Sequence, residues 1–492
     1  MARRRQSKRQ GQRTAPAVRL AVPIVQSGPP AARSGYDAAQ TTEDNRRHWA
    51  NADSLSAAAA NSLDVRKRVR ERARYEVANN CYLNGMVQTL ANDCIGTGPR
   101  LQMLTDDATL NDRIEELFSN WAREIHLAAK LRTMRYAKAV DGEVFAVLTT
   151  NNLLESPIKL DLQLMECDRV TSPWVAMATD EVDGIRFDAF GNPISYCIFR
   201  SHPGDLTGDL TFDWQQAEYV IHWFKSVRPG QQRGISEIMP ALPLSAILRR
   251  YTIAVLEAAE TAANFAAVLQ TDAPADAIDD EDDPSQAAAP WSLIELERRM
   301  ATVLPEGWKL GQMTAQQPTT TYPEFKREII NEMARCVLMP RNIAAGDSSD
   351  YNYASGRLDH QGYFKAKRVE QDDGEEWVVD RIQAAWLREA LARGLPLLTG
   401  RVPHTWFWDG TEHVDPLKEA KAQEARLKNN TTTLADEHGR QGNDWQKKLR
   451  QRAIEKAEVK RLEKEYDISF AEQPAGQARP EPDNEDDTGD EQ

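Results

Sequence analysis

The sequence predicts an α+β protein with helices and strands segregated along the chain. Three observations carry this. Helical periodicity dominates residues 41–130 and most of the chain beyond residue 240, whereas residues 142–226 break into short apolar runs between Gly, Asn, Pro and Asp turns. Two long helical patterns flank an acidic excursion near residue 280. At 492 residues the chain exceeds one compact core, so two or more structural units, or one elongated subunit, are expected.

Residues 1–40, rich in Pro, Gly, Gln and Arg without period, read as a flexible basic arm. From Thr41 to Asn92 the pattern is helical, with Val65, Val69, Ala73, Val77 and Cys81 at four-residue spacing and basic residues between them. CIGTGPRLQM then ends the helix and starts a strand. Residues 108–130 are helical again, with Leu110, Ile114, Leu117, Phe118 and Trp121 on one face. GEVFAVLTTN (142–151), LDLQLMECDRV (160–170), GIRFDAFGNPISYCIFR (184–200) and EYVIHWFKS (218–226) read as strands, the third as a hairpin around Gly191-Asn192.

A helix from Leu244 to Leu269 would be about 39 Å long at 1.5 Å per residue. Ala254, Ala258, Ala262 and Ala266 give it a small-residue side, which suits either an alanine-rich core helix or a repeated contact between copies. ADAIDDEDDPSQAAAP (275–290) reads as an acidic surface loop, WSLIELERRMATV as a short helix, and WKLGQMTAQQPTTTYP as strand and loop. In EFKREIINEMARCVLMP, Phe325, Ile329, Ile330, Met333 and Val337 form an apolar stripe that Pro340 stops. GDSSDYNYASG (346–356) has turn chemistry throughout, and a helix from Arg357 to about Arg393 is weakest at Asp372, Asp373 and Gly374. RVPHTWFWDGTEHVDP reads as a short aromatic strand or loop, residues 416–466 as charged helices, and EPDNEDDTGDEQ as an acidic tail.

The net charge of −14 is uneven: residues 1–20 hold seven Arg or Lys and no acid, and the C-terminal tail holds acids and no base. An acidic body disfavours tight wrapping of nucleic acid, whose phosphates need Lys and Arg, yet suits a wall past which DNA slides. No run of eighteen apolar residues occurs, so no membrane insertion is expected. The basic N-terminus lacks the apolar segment of a secretory signal. Five scattered cysteines without CxxC read as reduced, mostly buried thiols of a cytosolic protein.

No GxxxxGK[ST], HExxH, GxSxG or paired Cys/His spacing is present, so no catalytic residue, metal or cofactor is expected. His222, inside the apolar VIHWF, reads as a core histidine, and the aromatics of HTWFWDG as packing groups. The carboxylates at 280–283 lack the glycine-bounded loop of a calcium site. The turn SVRPGQQRGISEIMPAL (226–242) is either a phosphate cradle or a joint. No Lys-Ser or Lys-Thr follows it, so Gly230 and Gly234 read as turn residues, with Arg228 and Arg233 anchoring the turn to carboxylates of the same or a neighbouring subunit.

Five stretches in order resemble the lambda-type portal proteins of tailed bacteriophages. They are RERARYEVANNCYLNGMVQTLANDCIGTGPRLQ, GIRFDAFGNPISYCIF with HPGD after it, IHWFKSVRPGQQRGISEIMPAL, MPRNIAAGDSSDYNYASGR and HVDPLKEAKAQEARLKNN, spanning roughly residues 40–440. The most specific pairing is the RPGQxRG turn followed about 110 residues later by GDxSxxNYxSxR. The resemblance implies a ring of about twelve subunits at one capsid vertex, through whose channel double-stranded DNA is packaged and later ejected.

It also implies a plan for the subunit. Residues 41–243 would form the wing, 244–269 and 323–340 the two stem helices, and 270–322 the clip between them. Residues 341–356 would form a tunnel loop, with Ser348, Ser349, Asp350, Tyr351, Asn352 and Tyr353 facing DNA. Arg228, Gly230, Arg233 and Gly234 would join wing to stem, and Ala254, Ala258, Ala262 and Ala266 would pack against a neighbouring subunit. Residues 357–415 would return to the wing, 416–466 would form a helical crown, and 467–492 a disordered tail. Implied partners are the terminase large subunit, a head–tail adaptor, and the major capsid and scaffold proteins. The implied location is the virion vertex, reached from the host cytoplasm. The alternative is a packaging component with nuclease or ATPase activity.

Overall fold

A computed structural model describes residues 42–43, 45–173, 180–206, 208–264, 268–271, 308–311, 322–349, 351–394, 402–410 and 416–470. The chain divides into two compact units, Met1–Ser56 and Ala57–Gln492. In the first, the described residues form turns, with Thr42 and Asn45 exchanging side-chain and backbone bonds of 2.8 and 3.2 Å. None of this unit's described residues is helical, although the sequence pattern reads as helix from Thr41 onward.

The second unit opens with α1 (Ala57–Ala60), α2 (Leu63–Asn79) and α3 (Cys81–Ile95). Asn80 splits the last two. Its backbone is extended, and its side-chain oxygen accepts the N–H groups of Tyr82 and Leu83, capping α3. On α3 the sequence pattern becomes a buried face of Leu83, Met86, Val87, Leu90, Ala91 and Cys94. On α2 it does not. Val65 is exposed, as is Cys81 at the start of α3, and Arg66, Arg70 and Glu76 are buried beside Ala73 and Val77. Apolar spacing cannot reveal an inward face built of paired charges.

β1 (Arg100–Met103) precedes α4 (Ala108–Glu124) and α5 (Leu127–Asp141). The single helix expected over 108–130 is thus two, broken at His126, whose φ is 55°. β2 (Glu143–Thr150), β3 (Leu160–Met165), β4 (Glu181–Val182), β5 (Ile185–Phe187), β6 (Pro193–Phe199), β7 (Phe212–Gln216) and β8 (Val220–Phe224) make two antiparallel sheets, ordered β3-β2-β8 and β4-β5-β6-β7. The β5–β6 hairpin turns at Gly191, φ 86°, where Asp188 and Asn192 close the loop.

Next come α6 (Leu242–Asn264), β9 (Val268–Thr271), β10 (Trp308–Gly311) and α7 (Tyr322–Arg335). The first long helix ends at Asn264, short of the expected Leu269, because residues 268–271 pair antiparallel with β10. The second ends at Arg335, short of Pro340, and Leu338 takes a positive φ of 57°. Most of the stretch expected to be the clip lies outside the described residues. α8 (Arg341–Ala345) occupies the start of the expected tunnel loop, and α9 (Tyr353–Gly374) its end. The weak point expected at Asp372–Gly374 lies just beyond, as a single π-helical turn, Glu375–Val379, before α10 (Asp380–Ala392). β11 (His404–Phe407), α11 (Pro416–Lys428), α12 (Leu434–Arg440) and α13 (Trp445–Tyr466) complete the order.

One core joins distant parts of the chain. β11 pairs antiparallel with β1, Arg100 opposite Phe407 and Met103 opposite His404. Above this pair Phe118 contacts Trp121, Trp386 and Trp406 at centroid distances of 5.2, 5.4 and 5.6 Å. The indole N–H of Trp121 donates to the Leu160 carbonyl (2.8 Å) and that of Trp406 to Asp380 (2.8 Å). Trp121 and Trp406 thus bring their apolar area to the core with their donors satisfied, whereas the buried Trp386 N–H has no partner among the described residues. The HTWFWDG aromatics are packing groups, as the sequence suggested.

Candidate functional site

The turn after β8 is built around one buried carboxylate. Glu143, the first residue of β2, is fully buried, and Arg233 is 2% exposed. The Arg233 fork meets both carboxylate oxygens, with Nε to Oε2 at 2.9 Å and Nη2 to Oε1 at 2.7 Å. The Gly234 N–H donates to Oε2 (2.9 Å), and His222 Nε2 lies 3.1 Å from it. The His222 ring stacks on Phe145 and Phe224 at 4.2 and 4.5 Å.

Burial alone would raise the Glu143 carboxyl. The Arg233 charge and the bonds from His222 and Arg233 outweigh it and hold the group well below the usual carboxylate range. Burial pushes the His222 imidazole down, against the pull of Glu143. His222 is a satisfied core histidine.

Arg233 has further partners. Nη1 donates to Asp183 (2.9 Å) and to the Val170 carbonyl (3.2 Å). Arg66 also pairs with Asp183. Arg70 pairs with Asp168 (2.6 Å), and Arg74 bridges Asp168 and Asp141 (2.8 and 2.7 Å). Arg66, Arg70, Arg74 and Arg233 therefore each meet a carboxylate, and no donor of Arg233 is left for a phosphate. Arg228 is exposed.

The glycines act at two levels. Gly230 has φ 76°, with open space around it. Gly234 and Gly142 approach backbone to backbone: a Cβ on Gly234 would lie 2.1 Å from the Gly142 carbonyl oxygen, and one on Gly142 2.2 Å from the Ile235 carbonyl carbon. Beyond Gly234, Glu237 meets Arg135 on α5 (2.9 Å), and Arg135 and Lys138 both reach Glu370 on α9. The turn is thereby tied to α9 as well as to β2.

α6 and α7 pack through Tyr251 against Tyr322 and Phe325 (5.8 and 5.4 Å). Ala254 is exposed and Ala258 half-buried. Exposed Ile247 lies seven and eleven residues before them, on the same side of the helix. For Ala262 only the backbone is described, and Ala266 lies outside the described residues.

Residues 346–352 connect α8 to α9. Ser348, Ser349 and Asn352 are exposed. The Asp347 carboxylate accepts the Ser349 N–H (3.0 Å), and the Tyr351 N–H donates to the Ser348 carbonyl (3.1 Å). Asp350 lies outside the described residues, and Tyr353 opens α9. The loop itself holds no basic residue, but the Arg341 guanidinium sits 5.2 Å from the Tyr351 ring centroid. Arg341 opens the segment expected to form the tunnel loop, but the sequence reading did not single it out, because it stands ten residues before Tyr351.

Among the described residues, Glu166, Asp168 and His202 could converge on a cation. The Gly204 N–H donates to His202 Nδ1 (2.9 Å), which places the neutral ring's proton on Nε2, 3.0 Å from Glu166. Asp168 is already taken by Arg70 and Arg74. With Asp168 held by two arginines, the cluster reads as the edge of that ion-pair network rather than as a metal set.

Residues 43–371 match the family model described as phage portal protein, lambda family. A probable portal protein of Halomonas phage phiHAP-1 is 25% identical over 457 residues, covering 85% of this chain and 86% of that one. A chain in the neck of a native gene transfer agent (GTA) particle computed with C12 symmetry shares 13% identity, with a TM-score of 0.44 over 73% of this chain and 88% of its own. A chain in the virion of a native GTA particle shares 14%, with a TM-score of 0.41 over 73% and 87%. With the family model covering most of its length, the chain belongs to the lambda family of phage portal proteins, the head–tail vertex components through which the genome is packaged and ejected.

Proposed function

We propose that copies of this chain close into a ring of about twelve around an axial channel for double-stranded DNA. Membership of the portal family carries this reading. The buried joint supports it. A subunit that transmits load between a strand-rich body and a helical pair needs a rigid connection, and Arg233 with Glu143, together with the Gly142–Gly234 approach, supplies one.

In this reading Arg228, Gly230, Arg233 and Gly234 join the wing to a stem of α6 and α7. Ile247, Ala254 and Ala258 meet the neighbouring subunit, with Ala262 and Ala266 continuing that side. Ser348, Ser349, Asp350, Tyr351, Asn352 and Tyr353 form a polar collar around DNA. The terminase large subunit docks at the clip during packaging, and a head–tail adaptor replaces it. Major capsid and scaffold proteins surround the ring, which is assembled in the host cytoplasm and retained in the virion.

The chain itself catalyses nothing in this reading, and a separate motor drives the DNA. A packaging nuclease or ATPase would need a metal set or a nucleotide loop, and the sequence has no GxxxxGK[ST]. Native mass spectrometry of the purified chain tests the proposal. A closed ring is expected; a monomer or dimer that hydrolyses ATP or nicks DNA would overturn it.

A further inference from the structure

β1, α4, the start of α5 and the first turn of α13 enclose a cleft of about 520 Å³. Its lining is cationic in a chain of net charge −14: Arg100, Arg123, Arg132 and Lys447 face one lining carboxylate, Glu115. Two of these charges are matched, Arg100 by Asp409 (2.8 Å) and Lys447 by Glu115. The other two are not. Arg123 donates to the Ser119 hydroxyl (3.3 Å) and Arg132 to the Gly96 carbonyl, and neither meets a carboxylate among the described residues. α5 begins in the same wall, and its N-cap, His126, makes no side-chain capping bond, so the helix dipole adds to the positive potential.

The sequence holds a counterpart of matching chemistry. Residues 481–491, EPDNEDDTGDE, carry seven carboxylates and no base. They are tethered to the cleft by α13. The first turns of that helix are pinned beside it by Lys447 on Glu115 and Arg450 on Asp112 (2.9 Å). From Lys447 to Tyr466 the helix runs about 29 Å. The eleven residue steps from Phe470 to Glu481 reach about 36–39 Å when extended, enough to bring the acidic run back along α13.

We propose that this cleft is an acidic-peptide site, occupied by residues 481–491 of the same chain. The tether sets an effective concentration of about millimolar, so even a weak site is filled intramolecularly. DNA phosphate has the same charge but must compete with that concentration and approach an acidic body. The docked tail would screen two unmatched arginines that otherwise could hold passing DNA. The inference does not depend on the number of subunits in the ring.

The test uses the full-length chain with Glu481→Gln, Asp483→Asn, Glu485→Gln, Asp486→Asn, Asp487→Asn, Asp490→Asn and Glu491→Gln. The probe is a fluorescein-labelled synthetic peptide EPDNEDDTGDE, followed by anisotropy. The neutralised chain should bind the peptide at 50 mM salt and weaken by 200 mM. The unmodified chain should bind it at least tenfold more weakly, because its own tail competes. Adding Arg123→Glu and Arg132→Glu to the neutralised chain should cost a further tenfold. Arg132 also holds the Gly96 carbonyl, so Arg123→Glu alone, at an exposed position, is the variant that leaves packing intact; it should cost about threefold. Equal binding by the unmodified and neutralised chains, or no effect of Arg123→Glu, overturns the proposal. So does a 20-base-pair duplex that binds the neutralised chain through Arg123 when the peptide does not, which would assign the cleft to nucleic acid.

Discussion

Arg233→Met tests whether the buried joint is an electrostatic lock. The substitution keeps an unbranched side chain but removes the bonds to both oxygens of Glu143 and the contact to Asp183. Glu143 keeps the Gly234 N–H, His222 and a longer ion pair to Arg70 (3.7 Å), and Asp183 keeps Arg66. Breaking a buried pair by removing one partner costs about 3–5 kcal/mol, mostly from the charge left behind. With roughly 350 described residues in the larger unit, an unfolding entropy of about 2.1 cal/mol/K per residue gives about 0.7 kcal/mol/K. The expected fall in Tm is then about 4–7 °C by calorimetry. Adding Glu143→Leu should recover most of it, with a coupling of about 2 kcal/mol or more.

The pH dependence separates this account from simple loss of packing. In the wild type the folded Glu143 carboxyl lies below its unfolded value of about 4.3. Its stabilising contribution is present above that pH and is lost as pH falls through the folded value. Without Arg233 the largest charge opposing burial is gone and the folded carboxyl rises, so the variant gains less stability from Glu143 as pH rises. The gap between wild type and variant should widen from pH 4 to pH 7. A cost below about 1 kcal/mol, or a gap independent of pH, would refute the lock.

Gly234→Ala forces a Cβ to 2.1 Å from the Gly142 carbonyl oxygen, so soluble yield and Tm should drop well beyond the effect of Gly191→Ala, a positive-φ glycine with open space around it. Ala258→Leu should overpack the proposed subunit contact by about 1–3 kcal/mol per site, read as missing or heterogeneous rings by native mass spectrometry; normal rings would remove α6 from the interface. Isothermal titration of the isolated chain with ATP should show no stoichiometric binding, and a one-to-one isotherm contradicts the non-catalytic reading. Ser349→Lys with Asn352→Lys adds two exposed cations per subunit to the α8–α9 loop and should slow packaging in a salt-dependent way; wild-type rates from verified rings would place the loop outside the channel.

The apolar elements were legible because their spacing reports burial directly. α3 and β2 follow their patterns, and α7 buries Ile330 and Met333 from its predicted stripe. The π-helical turn was half visible, as a run of Asp372, Asp373 and Gly374 that weakens a helix without stopping it. The β1–β11 pair was not visible, since neither four-residue strand names a partner about 300 residues away.

The joint shows where reading by apolar period fails and what replaces it. RPGQQRG was readable as a turn with an arginine to anchor, but not the acceptor ninety residues upstream. The missing signal lies in GEVFAVL. A single carboxylate at the head of a strand whose other residues all favour burial must either protonate or find a cation. α2 offers the complementary clue, since Arg66, Arg70 and Ala73 share a helical face that also carries the buried Glu76. A buried acid seeking a cation and arginines on an inward face are each ambiguous alone. Taken together, they require one another, because neither charge is affordable in a core without its opposite. Counting charges on predicted inward faces would have predicted that α2, β2 and the turn meet, which is where the structure brings them together.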